Sequence, residues 1–205
     1  MKLTLKTPEK VNAFTEIFKN LKNILDDINI VFMTDKIYMQ GMDNTHALLF
    51  EMNLEKEWFD SYDVTTQDTF GLHCETFFKI INCLNNGQYI TIECEPVDDY
   101  MTITFVGENQ ISKIFELSRI ELDHVDLEIP DVEYEVDACF DSREFSELIK
   151  ETAIFNDTLN FKCDEESIQM IAEGTLGKMT VSIKEDDIIL FSIEEDCSLD
   201  INYTL

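Results

Sequence analysis

The chain has 205 residues, of which 44% are apolar and 15 are Phe, the composition of a folded chain with a substantial core and not of a disordered one. Its formal net charge of −28 argues against a basic nucleic-acid-binding domain and against anionic membranes as partners. Three readings survive that charge: a solubility device, a mimic of DNA, or a protein that gathers its few cations on one surface and leaves its acids elsewhere.

Three Pro and six Gly leave little room for linkers or low-complexity tracts. No apolar run is long enough to cross a bilayer, and the N-terminus alternates polar and apolar residues where a signal peptide would open with an apolar block. The six cysteines are Cys74, Cys83, Cys94, Cys139, Cys163 and Cys197, and none forms a CxxC pair. They are expected to be buried free thiols of a reducing, intracellular compartment. The Cys and His clustering of a zinc site is absent from the sequence, so no metal or other cofactor is expected.

Taken in chain order, the first regular element is a helix expected from Thr7 to about Leu25. Thr7 suits the N-cap and Pro8 the first helical position, and Val11, Phe14, Ile17, Phe18, Leu21 and Leu25 share one face. Strands follow at Asp27 to Phe32 and Ile37 to Gln40. A second helix, near Glu75 to Leu84, carries Phe77, Phe78, Ile81 and Leu84. Next come two strands of strict alternation. In one, Ile90, Ile92 and Cys94 interleave with Tyr89, Thr91 and Glu93. In the other, Met101, Ile103 and Phe105 interleave with Tyr100, Thr102 and Thr104. Such alternation marks half-buried antiparallel strands. A third helix starts at an Asp141 or Ser142 cap and carries Phe145, Leu148, Ile149 and Thr152. Leu159, Phe161 and Cys163 then begin another hairpin through Ser167 to Met170.

The helix starts lie about 67 residues apart, a period that marks a repeated unit. Each helix follows a strand and precedes a hairpin, a βαββ module with further strands, used three times. A fourth helix is due near residue 208, after a strand at about Ser198 to Thr204, and the sequence given stops at Leu205.

The run Ile37-Tyr38-Met39-Gln40-Gly41-Met42-Asp43-Asn44-Thr45-His46-Ala47-Leu48-Leu49 resembles the signature hairpin of the proliferating cell nuclear antigen family, with its Met-Asp-x-x-His core. Trp58-Phe59-Asp60-Ser61-Tyr62 is similar to the family's Phe-Asp-x-Tyr. Leu127-Glu128-Ile129-Pro130, followed by Tyr134, resembles the end of its interdomain connector. Glu173-Gly174 through Gly177 resembles a turn of its second domain. The resemblance spans Met1 to Leu205. It implies an α+β DNA-clamp fold of two similar domains built from βαββ(β) modules, with antiparallel outer sheets and helices lining the inner face. Domain one would cover residues 1–118, the connector 119–133 and a partial second domain 134–205. The last helix and closing strands of the family's second domain have no counterpart in this sequence. The second domain is therefore expected to be the looser, and ring assembly of these residues alone weak.

The resemblance also implies three surfaces. Lys19, Lys22, Lys79 and Lys150 lie on polar helix faces and would face duplex DNA without reading its sequence, since sparse cations suffice to hold phosphates. Glu147 and Asn82 stand where the family commonly has a base, so the channel should be weakly cationic. Met42, His46, Ala47, Leu49, Leu127, Ile129 and Pro130 would form a groove for a short helical peptide from polymerases and other enzymes. Residues 111–118 (Ile111, Lys113, Ile114, Phe115 and Leu117) and residues 178–184 (Lys178, Met179, Val181 and Ile183) would be edge strands that pair between subunits, as an uncovered edge must be paired or protected.

The sequence holds no P-loop, GxSxG or HExxH motif, and acidic pairs such as Asp98-Asp99 and Asp186-Asp187 read as turns, so no catalytic residue is expected. The reading is a non-enzymatic processivity factor. Its implied partners are duplex DNA, a clamp loader and enzymes carrying clamp-binding peptides, in a homotrimer without membrane contact, in a nucleus or a viral replication compartment. The alternatives are a subunit of the related heterotrimeric checkpoint clamp and an acidic DNA mimic.

Overall fold

A computed structural model describes residues 1–95, 98–123, 127, 134–193 and 199–204. The chain divides into two units, Met1–Ile129 and Pro130–Leu205.

The first unit opens with strand β1 (Lys2–Leu5) and helix α1 (Pro8–Leu21). The helix is shorter than its apolar spacing predicts. Lys22 is its C-cap, and Leu25 is buried from a following turn in which its N–H bonds to Leu21 O at 2.8 Å. Thr7 occupies the N-cap, but its hydroxyl caps nothing; it donates to Asp60 Oδ1 at 2.7 Å instead. Asp60 is the anchor that replaces the cap, for it also accepts the backbone N–H groups of Lys6 and Thr7. These bonds, those from the two N–H groups first, lower its pKa to about 2.

Strands β2 (Asp27–Phe32), β3 (Lys36–Met42), β4 (Leu49–Glu55), β5 (Ser61–Asp63) and β6 (Asp68–His73) precede helix α2 (Cys74–Ile81). Strands β7 (Tyr89–Glu93), β8 (Tyr100–Val106) and β9 (Lys113–Ser118) complete the unit. They form two antiparallel sheets, ordered β5-β1-β7-β8-β9 and β4-β3-β2-β6. One core joins both sheets to the helices. Phe14 and Phe18 of α1 meet Phe77 of α2 edge-on, at centroid distances of 6.3 and 4.5 Å. Tyr62 ties the sheets together: its single hydroxyl proton is shared between Met33 O at 2.6 Å and Lys36 O at 2.7 Å. Burial, with Asp35 nearby, raises its pKa.

The second unit repeats the plan. Strand β10 (Val136–Cys139), helix α3 (Ser142–Thr152), β11 (Thr158–Cys163), β12 (Ser167–Gly174), β13 (Gly177–Lys184), β14 (Leu190–Ile193) and β15 (Leu199–Thr204) follow in order. The sheet order β13-β12-β11-β15 mirrors β4-β3-β2-β6, and β10 pairs with β14. Here the expected cap is made, as Asp141 Oδ1 accepts from the N–H groups of Arg143 and Glu144 at 2.9 and 3.2 Å. The fold is the α+β architecture that the three-fold βαββ pattern implies. Its helices begin at Pro8, Cys74 and Ser142.

The cysteines depart from expectation. Cys74, Cys94 and Cys163 are buried, but Cys83 and Cys139 are exposed. Cys83 lies in the turn after α2, and Cys139 ends a short strand. Cys197 lies outside the described residues.

Candidate partner groove and DNA-facing helices

The groove is built on the outer face of the β4-β3-β2-β6 sheet. Ile37 and Met39 of β3 point into the core, so by the two-residue period Tyr38, Gln40 and Met42 point out. Register places Asn29 opposite Gln40 and Val31 opposite Tyr38. The chain leaving β9 crosses this face. Ile120 N–H bonds to Gly71 O at 3.0 Å, and a Cβ on Gly71 would lie 2.3 Å from Ile120 O, so only glycine permits the crossing. Arg119 pins the start of the crossing with a two-pronged pair to Asp68 at 3.0 and 2.9 Å and a stacking contact 4.9 Å over Phe70. The hydrogen bonds to Asp68 raise its pKa further.

Two adjoining cavities, about 590 and 400 Å³, lie between the sheet and this crossing segment. The smaller one brings together Met42, His46 and Leu127, three of the residues named for the peptide groove. Gln40 holds Leu127 there: its side-chain amide donates to Leu127 O at 2.7 Å and accepts from Leu127 N at 3.0 Å. Sequence reasoning passed over Gln40, although its place two residues before Met42 on an alternating strand put it on the same face. Ala47 and Leu49 are exposed on the adjacent β3–β4 loop and at the start of β4, outside the cavity lining. Ile129 and Pro130 lie outside the described residues.

Asp43 fixes the loop that carries His46. Its carboxylate accepts from the Thr45 hydroxyl and from the N–H groups of Leu48, Ala47 and Thr45, at 2.7, 2.8 and 3.1 Å for the last three. These bonds lower its pKa to about 2, the Thr45 hydroxyl contributing most. The turn places His46 at φ 60°, a left-handed conformation that few non-glycine residues adopt. Asn44 extends the brace by donating to Asp26 Oδ2 at 3.1 Å. The Met-Asp-x-x-His run thus encodes a loop shape as much as a set of contacts.

On the helices, Lys19 and Lys79 are exposed, each beside a carboxylate of its own helix. Lys22 lies just beyond α1 with its ammonium 5.0 Å over the Phe78 ring. Lys150 is exposed on α3. Strands β9 and β13 are both sheet edges. Ile111 and Ile114 are 84% and 67% exposed, and Lys178 also projects outward, in an ion pair with Glu173. Phe115 and Leu117 turn toward their own core, as do Met179, Val181 and Ile183. Lys113 reaches back to Cys83 O. Among the described residues, no group of three or more His, Cys, Asp or Glu side chains could hold a metal ion, and no helix is long and apolar enough to cross a membrane.

Helix-backed antiparallel sheets in repeated βαββ modules, with the segment after β9 lying across one outer face of the first unit, define the DNA-clamp class. Residues 7–129 match the N-terminal domain of proliferating cell nuclear antigen, and residues 128–203 match its C-terminal domain. The chain belongs to the proliferating cell nuclear antigen family, the sliding clamps that act as processivity factors in DNA replication. It is 24% identical over 180 residues to proliferating cell nuclear antigen 2 of Drosophila melanogaster, which covers 87% of this chain and 71% of that protein. The structure is similar to that of the Thermococcus kodakaraensis clamp, with a TM-score of 0.88, 16% identity, and coverage of 99% of this chain and 80% of the other.

Proposed function

We propose that this chain is a subunit of a homotrimeric ring that encircles duplex DNA and tethers replication and repair enzymes to it without chemistry of its own. The observation that carries this reading is the groove, where Met42, His46 and Leu127 converge beside a connector locked down by Gln40. A cleft with an apolar floor and main-chain groups at its rim suits a short amphipathic helix with aliphatic and aromatic anchors. The topological link raises the local concentration of a bound polymerase at the primer end without a tight grip on DNA. Lys19, Lys22, Lys79 and Lys150 face the duplex in this reading. The β9 and β13 edges pair head to tail between neighbouring subunits, and a clamp loader opens the ring. The eukaryotic relative favours a nuclear setting.

The full-length protein is expected to bind a peptide of the pattern Gln-x-x-aliphatic-x-x-aromatic-aromatic. Leu127→Asp should weaken that binding by about 2 kcal/mol or more, because a carboxylate would be desolvated without a partner. Unchanged affinity by calorimetry would remove the groove from the mechanism. Loader-dependent retention on nicked circular DNA separates a clamp from a DNA mimic, and the mass of the assembly separates a homotrimer from a hetero-oligomeric checkpoint clamp.

A further inference from the structure

The helices carry their charge in pairs. On α1, Lys19 Nζ lies 2.9 Å from both carboxylate oxygens of Glu16. On α2, Lys79 Nζ lies 2.8 Å from Glu75 Oε1. All four side chains are at least half exposed, so each ammonium and its counter-charge project on the same solvent side, one helical turn apart. The Lys79 ammonium, with Lys22 also near, holds the Glu75 carboxyl below the usual carboxylate range and therefore ionised. On α3, Lys150 stands between Glu147 and Glu151 in sequence.

Across the three helices and their capping residues the charges nearly cancel, with one carboxylate in excess. Six cations (Lys10, Lys19, Lys22, Lys79, Arg143 and Lys150) stand against seven carboxylates (Glu9, Glu16, Glu75, Asp141, Glu144, Glu147 and Glu151). Lys10 is further drawn toward Asp60, at 3.7 Å. The neighbouring exposed polar groups are mostly amides. Asn12, Asn82, Asn85 and Asn86 line a cleft of about 250 Å³ between α1 and the turn after α2, with Lys6 as the one exposed cation among the described residues of the same cleft.

An exposed ion pair is weak, so a phosphate can compete for the ammonium. The displaced carboxylate stays within a few ångströms of that phosphate, however, and repels it. The net electrostatic attraction is then small, and so is the release of condensed counterions, which scales with the number of phosphates neutralised. Amide N–H groups can bond to phosphate oxygens without adding a cation.

We propose that Glu16 and Glu75 are built-in counter-charges that cancel Lys19 and Lys79 on the DNA-facing helices, so that the closed ring holds duplex DNA by topology and neutral hydrogen bonding, with little phosphate electrostatics. This inference rests on the clamp reading.

The test uses the full-length protein in two separate measurements: loader-dependent retention on nicked circular DNA, and the affinity of the unloaded ring for a short linear duplex as a function of salt concentration. The wild type should show a shallow dependence of log K on log salt. The double variant Glu16→Gln with Glu75→Gln should steepen the slope by about 0.9 for each lysine freed and bind more tightly at low salt. Glutamine keeps side-chain length and helix propensity, and an unchanged thermal melt checks the fold. Adding Lys19→Gln and Lys79→Gln to that variant should return the slope to the wild-type value. A double variant with the wild-type slope, or a wild type as steep as the variant, overturns the proposal while leaving the clamp intact. Failure of every version to be retained on the circle overturns the clamp reading and this inference with it.

Discussion

The carboxylate of Asp43 organises four donors in one tight loop, which makes it the residue whose ionisation shapes the groove. Its folded pKa of about 2 lies below the unfolded value. The stabilisation it supplies is therefore complete above roughly pH 4 and is lost as the pH falls toward 2. The amide resonances of Thr45, Ala47 and Leu48 should titrate together with a midpoint near pH 2, and Asp43→Asn should abolish that titration. A midpoint near the ordinary carboxylate value would mean that the loop is held by something else. Gly71, like Gly174 in the second unit, has a sharp demand on it, because the clash facing any larger side chain is with backbone, which cannot rotate away. Gly71→Ala should destabilise the first unit by about 1–3 kcal/mol in denaturant titration. It should also loosen the Arg119–Leu122 crossing. A neutral result would show that the crossing segment approaches less closely in solution.

At the scale of elements, the two edge strands differ in what they offer. Strand β13 alternates inward Met179, Val181 and Ile183 with outward Lys178, Thr180, Ser182 and Lys184, so its outer face is polar, with a lysine at each end, of which Lys178 is paired with Glu173. Strand β9 carries an outward Glu116, with the exposed Ile114 beside it and Ile111 just before it. Because Phe115 and Leu117 are committed to their own core, any subunit contact here must use backbone groups together with Ile111 and Ile114. Ile111→Asp combined with Ile114→Asp should shift the full-length protein from oligomer to monomer in sedimentation velocity. The melting temperature of the first unit should hardly change, since both side chains are already in water. An oligomer that persists would place the interface elsewhere.

At the scale of the whole chain, the units differ in the depth of their cores. The first buries Phe14, Phe18, Phe70, Phe77 and Phe105 together between two sheets and two helices. The second has a much smaller buried cluster among the described residues. The apolar face of α3, with Phe145, Leu148 and Ile149, is only half-buried there, and Ile154, Leu176, Ile189 and Leu190 are exposed. Local opening free energy follows buried apolar contact. Amides of β2, β3, β7 and β8 should therefore exchange slowest, and those of β11 and β12 markedly faster, in native-state hydrogen exchange of this chain. Equal protection in both units would mean that the second is stabilised by something other than its own core.

Much of this was legible in the sequence because it depends on local period. Alternation of Ile90, Ile92 and Cys94, or of Met101, Ile103 and Phe105, fixes a strand's inner face whatever it packs against. The helical spacing of Phe14, Phe18 and Leu21 does the same for α1. The 67-residue recurrence and the Met42-to-His46 run then led to the family. The helix end at Leu21 was not legible, because Leu25 continues the apolar pattern while the backbone turns away beneath it. Nor were the partners of polar groups. Asp60 receives Thr7 from 53 residues away, Gln40 receives Leu127 from 87, and Arg119 finds Asp68 from 51. Hydrogen bonds are short and directional, so which donor meets which acceptor depends on how distant strands come to lie side by side. Composition and periodicity therefore determined the modules, their buried faces and the lysine–glutamate pairs one helical turn apart, whereas only the tertiary structure decided which polar side chains brace the groove.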